Sequence, residues 1–257
     1  MVLRHAFSRH GVTPMTTLFI SDLHLSPADS ARIQLTVNFL KDQTKNVKHL
    51  YILGDLFNTW LGDDIVPDEF EPLIQQLQQL HQSGIKIYLM VGNRDFMMGK
   101  QFSQRAGCEL LEDSCIIDLY GIKTLLLHGD TLCSDDVAYQ RYRHWSRNKL
   151  LQWCFLHLSA NYRQGISDKI KQKSHEQKQS KSAMIMDVNQ SEVVRVMEKY
   201  NVIQLIHGHT HRPAIHSLNV NGQQATRIVL GDWDTEVSYF QCNEQQSLLM
   251  DHRVVQG

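Results

Sequence analysis

The sequence predicts an α/β fold built in layers on mixed sheets, and three observations predict it. Short apolar runs recur along the chain, each closed by turn residues. Amphipathic stretches of helical period separate the first of them, and hairpin signals gather late in the chain.

The strand-like runs are residues 17–20, 50–53, 85–91, 123–127 and 202–206. Between the first two, Ile33, Val37 and Leu40 fall at helical spacing. Between the next two, Phe70, Leu73, Leu77 and Leu80 do the same and stop at Gly84, a helix-ending residue. Residues 115–127 fold back at Tyr120 and Gly121. Asn221-Gly222, between residues 214–220 and 225–230, is a strong two-residue hairpin signal. Residues 131–190 break the strand rhythm and read as helical throughout, apart from a Gln/Lys/Ser-rich stretch at 172–182 that reads as a mobile loop. Residues 1–14 read as an appendage to a single domain of residues 15–257.

The 26 Lys and Arg against 27 Asp and Glu leave a net charge of -1, which argues against a protein that coats nucleic acid. The 5 cysteines show no C-x-x-C spacing, so neither a disulfide framework nor a cysteine zinc site is indicated and a reducing, cytoplasmic setting is expected. No run approaches the roughly 20 apolar residues that cross a bilayer, and residues 1–14 lack the apolar core of a signal peptide. The unusual count is 14 histidines.

Chemistry is expected where the strand-like runs end. Five motifs stand there: Ser21-Asp22-Leu23-His24, Gly54-Asp55, Gly92-Asn93-Arg94-Asp95, His128-Gly129-Asp130 and Gly208-His209-Thr210-His211. Loops at the carboxyl ends of strands in an α/β sheet converge on one crevice, so these residues can meet although far apart in sequence. Asp22 with His24, and His209 with His211, stand two apart, and on extended backbone both members of such a pair point the same way and can chelate. Oxygen and imidazole donors without thiolate suit Mn, Fe or Zn. The donors are too many for one ion, and a carboxylate such as Asp55 can bridge two ions about 3.5 to 4 Å apart, as in two-metal phosphoester hydrolysis.

In this order, D-x-H, G-D, G-N, H and G-H-x-H resemble the calcineurin-like metallophosphoesterases, from Leu18 to about Asp234. The further runs FISDLHLS, YILGDLF, GNRDFMMGK, HGDTLCSDD, SKSAMIMDVNQ and LIHGHTHRP are similar to the branch of UDP-2,3-diacylglucosamine hydrolases of lipid A synthesis. The resemblance implies an αββα sandwich with a helical cap insertion at about 131–190. It implies one Mn ion on Asp22, His24, Asp55 and His211, and another on Asp55, Asn93, His128 and His209, with His207 outside both sets. Contacts to a lipid-linked UDP-sugar are implied for Asn93, Arg94, Asp136, Ser174, Lys181 and His209, and Lys178 stands where the family usually has Asn. Release of UMP and the acylated sugar 1-phosphate, peripheral contact with the inner membrane, and a monomer complete the expectation.

Arg94 fits this branch on physical grounds. Many relatives carry a His there that can protonate a poor alkoxide leaving group. An arginine cannot act as an acid near neutral pH but can clamp phosphate oxygens bidentately, which suits a leaving group that is itself a phosphate. The helical segment adds a second hint. Leu150, Leu151, Trp153, Phe155, Leu156 and Leu158 occupy nearly every helical phase, beside a basic run that includes Arg163, Lys169, Lys171, Lys173, Lys178 and Lys181. We read this as a cap whose groove takes acyl chains, against the plainer reading of the inner face of a helical hairpin.

Other polar residues invite plainer readings. Asp63 with Asp64, and Asp135, read as a helix cap and a solvated loop. Asp130 reads either as a partner orienting His128 or as a turn residue. His144, His157, His175 and His216 read as surface or packing residues. Two rival functions remain at this point: a soluble nucleotide or phosphoprotein phosphoesterase, and a binding module that has kept the fold.

Overall fold

The computed structural model describes residues 15–180, 187–234, 236–251 and 253; residues 1–14 and Lys181 therefore lie outside it. In chain order the elements are β1 (Thr16–Ile20), α1 (Ser30–Gln43), β2 (Val47–Leu53), α2 (Glu71–Gln82), β3 (Lys86–Met90), α3 (Lys100–Ala106), β4 (Cys108–Leu111), β5 (Ser114–Leu119) and β6 (Ile122–Leu127). There follow α4 (Val137–Ser146), α5 (Lys149–Leu156), α6 (Ala160–Ser180), α7 (Gln190–Tyr200), β7 (Gln204–His207), β8 (Ala214–Val220), β9 (Gln223–Val229), β10 (Tyr239–Cys242) and β11 (Ser247–Met250).

Two mixed sheets result. One has the order β11-β10-β1-β2-β3-β4, with β1 to β4 parallel, β10 antiparallel to β1 and β11 antiparallel to β10. The other has the order β5-β6-β7-β9-β8, with β6, β7 and β9 parallel and the two hairpin partners antiparallel. The hairpins turn at Tyr120-Gly121 and Asn221-Gly222, all four residues having positive φ, as expected. The run at 202–206 becomes a strand only from Gln204. Asn201 ends α7 in the left-handed region, at φ 50°, and Val202 donates its N–H back to Met197.

The period-two alternation of strands builds the layers. Leu18 and Ile20 of β1, with Leu50 and Ile52 of β2, pack against Ile33, Val37, Leu73 and Leu77 of α1 and α2. Their neighbours Phe19, Tyr51 and Leu53 point the other way, onto Leu126, Ile206 and Ile228 of the second sheet. Beyond it, Leu125, Leu127 and Leu205 pack on Val193, Val196 and Met197 of α7. Both faces of the central strands are therefore apolar, as the near-continuous runs require.

Helices α4 and α5 have no fully buried side chain. Helix α6 is held to the core at Arg163, which is 3% exposed and donates to Leu61 O (2.8 Å) and to both oxygens of Asp64. The mobile loop expected at 172–182 is corrected: α6 continues through Ser180, and residues 181–182 lie outside the described chain. Residues 166–180 contain neither Gly nor Pro, and Lys, Gln and Glu lose little rotamer freedom in a helix, so polarity alone did not break it.

Candidate metal centre

All five motifs fall just past the carboxyl ends of β1, β2, β3, β6 and β7, on one edge of the sandwich. The backbone there is not extended. Asp22, His24, Asp55, His209 and His211 have φ of 56°, 49°, 51°, 69° and 57°. Such conformations cost about 1–3 kcal/mol each and persist where surrounding structure over-determines them; Asp and His are among the residues that adopt them most readily. Pairing of two loops supplies that constraint. Asp22 N–H donates to Gly54 O (3.1 Å), His24 N–H to Asp55 O (2.9 Å) and Leu25 N–H to Leu56 O (3.0 Å). Strand alternation is therefore not what aims these side chains, and His209 and His211 separate into different groups.

The first group gathers Asp22, His24 and His211. His211 Nε2 lies 3.4 Å from Asp22 Oδ1 and 3.1 Å from His24 Nε2, and His24 Nδ1 lies 3.7 Å from Asp55 Oδ2. The second gathers Asp55, Asn93, His128 and His209. Asn93 Oδ1 is 2.9 Å from both His128 Nε2 and His209 Nδ1, and Asp55 Oδ1 is 3.8 Å from His128 Nε2. Asp55 thus turns one oxygen toward each group, as a bridging ligand must. His128 Nδ1 donates to Leu53 O (2.9 Å), which turns Nε2 toward Asn93 and Asp55. His207 is fully buried and donates from Nδ1 to Gly208 O, outside both groups.

The donor set fits divalent cations. Among the described residues, Asp22, His24 and His211, and likewise Asp22, Asp55 and His128, each offer one ligand atom within 4.8 Å of the others. Asp22 Oδ2 is occupied by Ser21 Oγ–H (2.6 Å) and His209 N–H (2.8 Å), while Asp22 Oδ1 and His24 Nδ1 are buried without a hydrogen-bond partner. Buried atoms of this kind are costly unless satisfied, and a cation satisfies an oxygen and a nitrogen together. Burial pushes His24 and His209 down to about 4, so both offer neutral lone pairs. It pushes Asp55 up to about 7, Asp95 and Asp22 adding to it against His128. Burial also opposes a charge on His211, but Asp22 and Asp232 outweigh it and lift the ring to about 10. Crowded buried carboxylates demand positive charge here.

Several further residues stand behind the site. Asp95 is buried and ties two loops by accepting from Gly92 N–H (2.7 Å) and Phe57 N–H (3.3 Å). Asp232 faces His211 Nδ1 at 3.2 Å. Both had a signal: Asp95 closes the Gly92 motif, and Gly231-Asp232 follows β9 as Gly54-Asp55 follows β2. Asp130 makes no hydrogen bond to His128. It accepts from Tyr139 Oη–H (2.5 Å) and Arg143 Nε–H (2.8 Å), and the Tyr139 ring stacks on His209 at 6.2 Å. Asp63 caps α3 from a distant loop, through Gly99 and Phe102 N–H. Asp64 caps no helix but is the partner of Arg163, and Asp135, read as a solvated loop residue, accepts from Asn189 Nδ2 (3.0 Å). His144, His157 and His216 are exposed; the side chain of His175 lies outside the described part.

A cavity of about 1330 Å³ opens beside the two groups, reaching Asn93, His209 and His211 at one end and Leu151, Phe155 and Ile170 at the other. Arg94 and Asp136 line it, and Asp136 also caps α4 by accepting from Tyr139 N–H (3.0 Å). Ser174 and Lys178 stand on α6. Leu150, Trp153 and Trp145 are 67%, 58% and 67% exposed. Among the described residues, no helix is long and apolar enough to cross a membrane.

The sequence profile of the calcineurin-like phosphoesterases matches residues 15–213. The chain is 47% identical over 232 residues to a UDP-2,3-diacylglucosamine hydrolase of Photobacterium profundum, covering 89% of this chain and 93% of that one. It is 49% identical over 222 residues to the protein of that name from Histophilus somni, covering 86% and 94%. For the one from Nitrosococcus oceani the identity is 44% over 243 residues, covering 94% and 97%. The chain belongs to the calcineurin-like phosphoesterase family and, within it, to the branch of UDP-2,3-diacylglucosamine hydrolases.

Proposed function

We propose that this chain hydrolyses the pyrophosphate bond of UDP-2,3-diacylglucosamine, giving UMP and 2,3-diacylglucosamine 1-phosphate, a step of lipid A synthesis. One observation carries the reading: a cluster of carboxylates and imidazoles opens directly into a large cavity whose far wall is apolar. Pockets for small ligands usually enclose about 300–1,000 Å³, and this one exceeds that range, as a substrate with two acyl chains requires.

Asp22, His24, Asp55 and His211 would hold one Mn ion, and Asp55, Asn93, His128 and His209 the other. When bound, two such ions supply a water of lowered pKa and positive charge against the phosphoryl oxygens. The chain's own residues do the rest. Arg94, at the cavity wall beside Asn93, grips phosphate oxygens and holds the scissile phosphorus at the cluster. It donates no proton, and none is needed when the departing group is a phosphate. Helices α4 to α6 act as the cap: Leu151, Phe155 and Ile170 take the acyl chains and exclude water, while Asp136, Ser174, Lys178 and Lys181 serve the nucleotide half. The outer side of α5 rests on the cytoplasmic face of the inner membrane, where the substrate is found, and the enzyme works as a monomer.

Hydrolysis in ¹⁸O-labelled water tests the reaction. Label recovered in UMP is the expected result, since the resemblance implies attack at the phosphorus nearer uridine. A deacylated UDP-sugar should show a sharply raised KM. Equal turnover of acylated and deacylated substrates would overturn the assignment of the cavity.

A further inference from the structure

His211 is held from behind as well as in front. Its Nδ1 lies 3.2 Å from Asp232 Oδ2, while its Nε2 faces Asp22 Oδ1 at 3.4 Å. An ionised carboxylate only accepts, so Asp232 keeps a proton on Nδ1, and a cation held at Asp22 would displace the proton from Nε2, the nitrogen that faces the cluster. Asp232 is itself fixed. Arg253 donates from Nη1 to Asp232 Oδ1 (2.6 Å) and from Nη2 to the Asp232 carbonyl (3.1 Å).

The same guanidinium is gripped from its other edge. Arg253 Nε and Nη2 donate to the two oxygens of Asp251, at 2.8 and 2.6 Å, and the Asp251 side chain is fully buried. A fork of this kind, with a carboxylate on each edge, has little rotational freedom left. Gly231 closes the space around it. A Cβ there would come within 2.3 Å of Arg253 Nη2 and 2.4 Å of Asp251 Oδ2. Residues just past β9 and just past β11 thus converge behind one ring of the cluster, although none of them belongs to the strand-end motifs that supply the ligands.

We infer that Asp232, locked by Arg253 and Asp251, is a positioning residue for the metal half-site built on His211, setting the tautomer and the angle of that ring. The inference rests on the reading of His211 as a metal ligand. Partners of this kind typically change metal affinity 10- to 100-fold when removed, because the ligand ring must then be ordered and oriented by the ion alone.

Calorimetric titration of the metal-stripped full chain with Mn²⁺ alone tests it, and no turnover is needed for the readout. Wild type should bind two ions. Asp232→Ala should weaken one of them roughly 10- to 100-fold and leave the other unchanged. Asp232→Asn, whose side-chain carbonyl still accepts from Nδ1, should recover most of the loss, and saturating Mn²⁺ should restore turnover to Asp232→Ala. Arg253→Met should show a smaller loss confined to the same ion, and it carries the comparison with Asp232→Asn should Asp232→Ala fail to fold. An Asp232→Ala isotherm that superimposes on wild type, or equal weakening of both ions, would overturn the brace. His211→Ala separates the two levels. Loss of one ion in His211→Ala with none in Asp232→Ala defeats the brace alone, whereas an unchanged His211→Ala isotherm defeats the ligand reading and the brace with it.

Discussion

The main-chain N–H of Arg94 donates to Asp55 Oδ1 over 2.8 Å, so Arg94 serves the cluster through its backbone and the cavity through its side chain. The two roles separate on substitution. In Arg94→Ala the backbone bond survives and Asp55 stays in place. Mn²⁺ affinity should be unchanged while kcat/KM falls roughly 10- to 150-fold, the equivalent of the 1.5–3 kcal/mol of a hydrogen bond to a charged group. Arg94→His should behave in the same way. Steady-state kinetics beside a Mn²⁺ titration would check this, and unchanged kinetics would remove the phosphate clamp.

Gly92 and Gly208 leave room for the two carboxylates. A Cβ on Gly92 would lie 2.1 Å from Asp55 Oδ1, and one on Gly208 would lie 2.2 Å from Asp22 Oδ2 and 2.2 Å from Ser21 Oγ. Neither contact is tolerable, and at Gly92 the Cβ would also come within 2.4 Å of Asp55 N, so the loop has to shift and carry the carboxylate out of the cluster. Gly92→Ala and Gly208→Ala should each lose Mn²⁺ binding and activity while the far-ultraviolet circular dichroism stays that of wild type. A Gly92→Ala protein that binds Mn²⁺ as wild type does would mean that Asp55 is not held where its loop places it.

What the sequence made legible, and what it hid, follows from these contacts. The meeting of Asp22, Asp55, Asn93, His128 and His209 was readable because each stands directly past an apolar run, and the run fixes which edge of the sheet they reach. Their aim was not readable. It depends on left-handed backbone at Asp22 and Asp55, which is stabilised by pairing between loops 31 to 32 residues apart and leaves no local pattern. Asp232 was hidden for a different reason. Gly231-Asp232 repeats the Gly-Asp signal, but β9 reads from sequence as one arm of a late hairpin, and its parallel pairing with β7 is a tertiary fact. Arg163 was likewise counted with a basic run, although its side chain is among the most buried charges in the chain.

The pair of Arg163 and Asp64 fixes α6 to the core, and its pH dependence has a definite sign. The hydrogen bond from Arg163 holds the Asp64 carboxyl below its ordinary value. A depressed carboxylate pKa contributes stability above the unfolded value, near 3.9, and loses it as pH falls through the lower folded value. At neutral pH the anchor is complete; below about pH 4 it weakens. Asp64→Asn and Arg163→Met should therefore speed amide exchange in the first turns of α6 at pH 7, with variants and wild type converging as the pH is lowered below about 4. The exposure of Asp64 makes the effect sensitive to salt. Identical exchange at pH 7 in wild type and variants would show that the helix is held by other contacts.

Helix α5 divides its apolar residues between two sides. Leu151 and Phe155, four apart, line the cavity, whereas Leu150 and Trp153 face outward and are 67% and 58% exposed. The inner pair faces the space that the proposal gives to the acyl chains; the outer pair, Trp153 of which packs against His157 at 4.1 Å, fits the proposed interfacial contact, since eight residues are too few to span. Burying one large apolar side chain is worth about 1.5–3 kcal/mol, so Leu150→Glu with Trp153→Glu should lower partitioning onto vesicles roughly a hundredfold or more. Anionic vesicles should be preferred over zwitterionic ones, because Lys149 opens the same helix. Turnover of substrate dispersed in detergent should be unaffected, because neither outer residue lines the cavity, and turnover of substrate embedded in vesicles should fall. Equal vesicle binding by variant and wild type would refute the membrane contact while leaving the catalytic assignment intact.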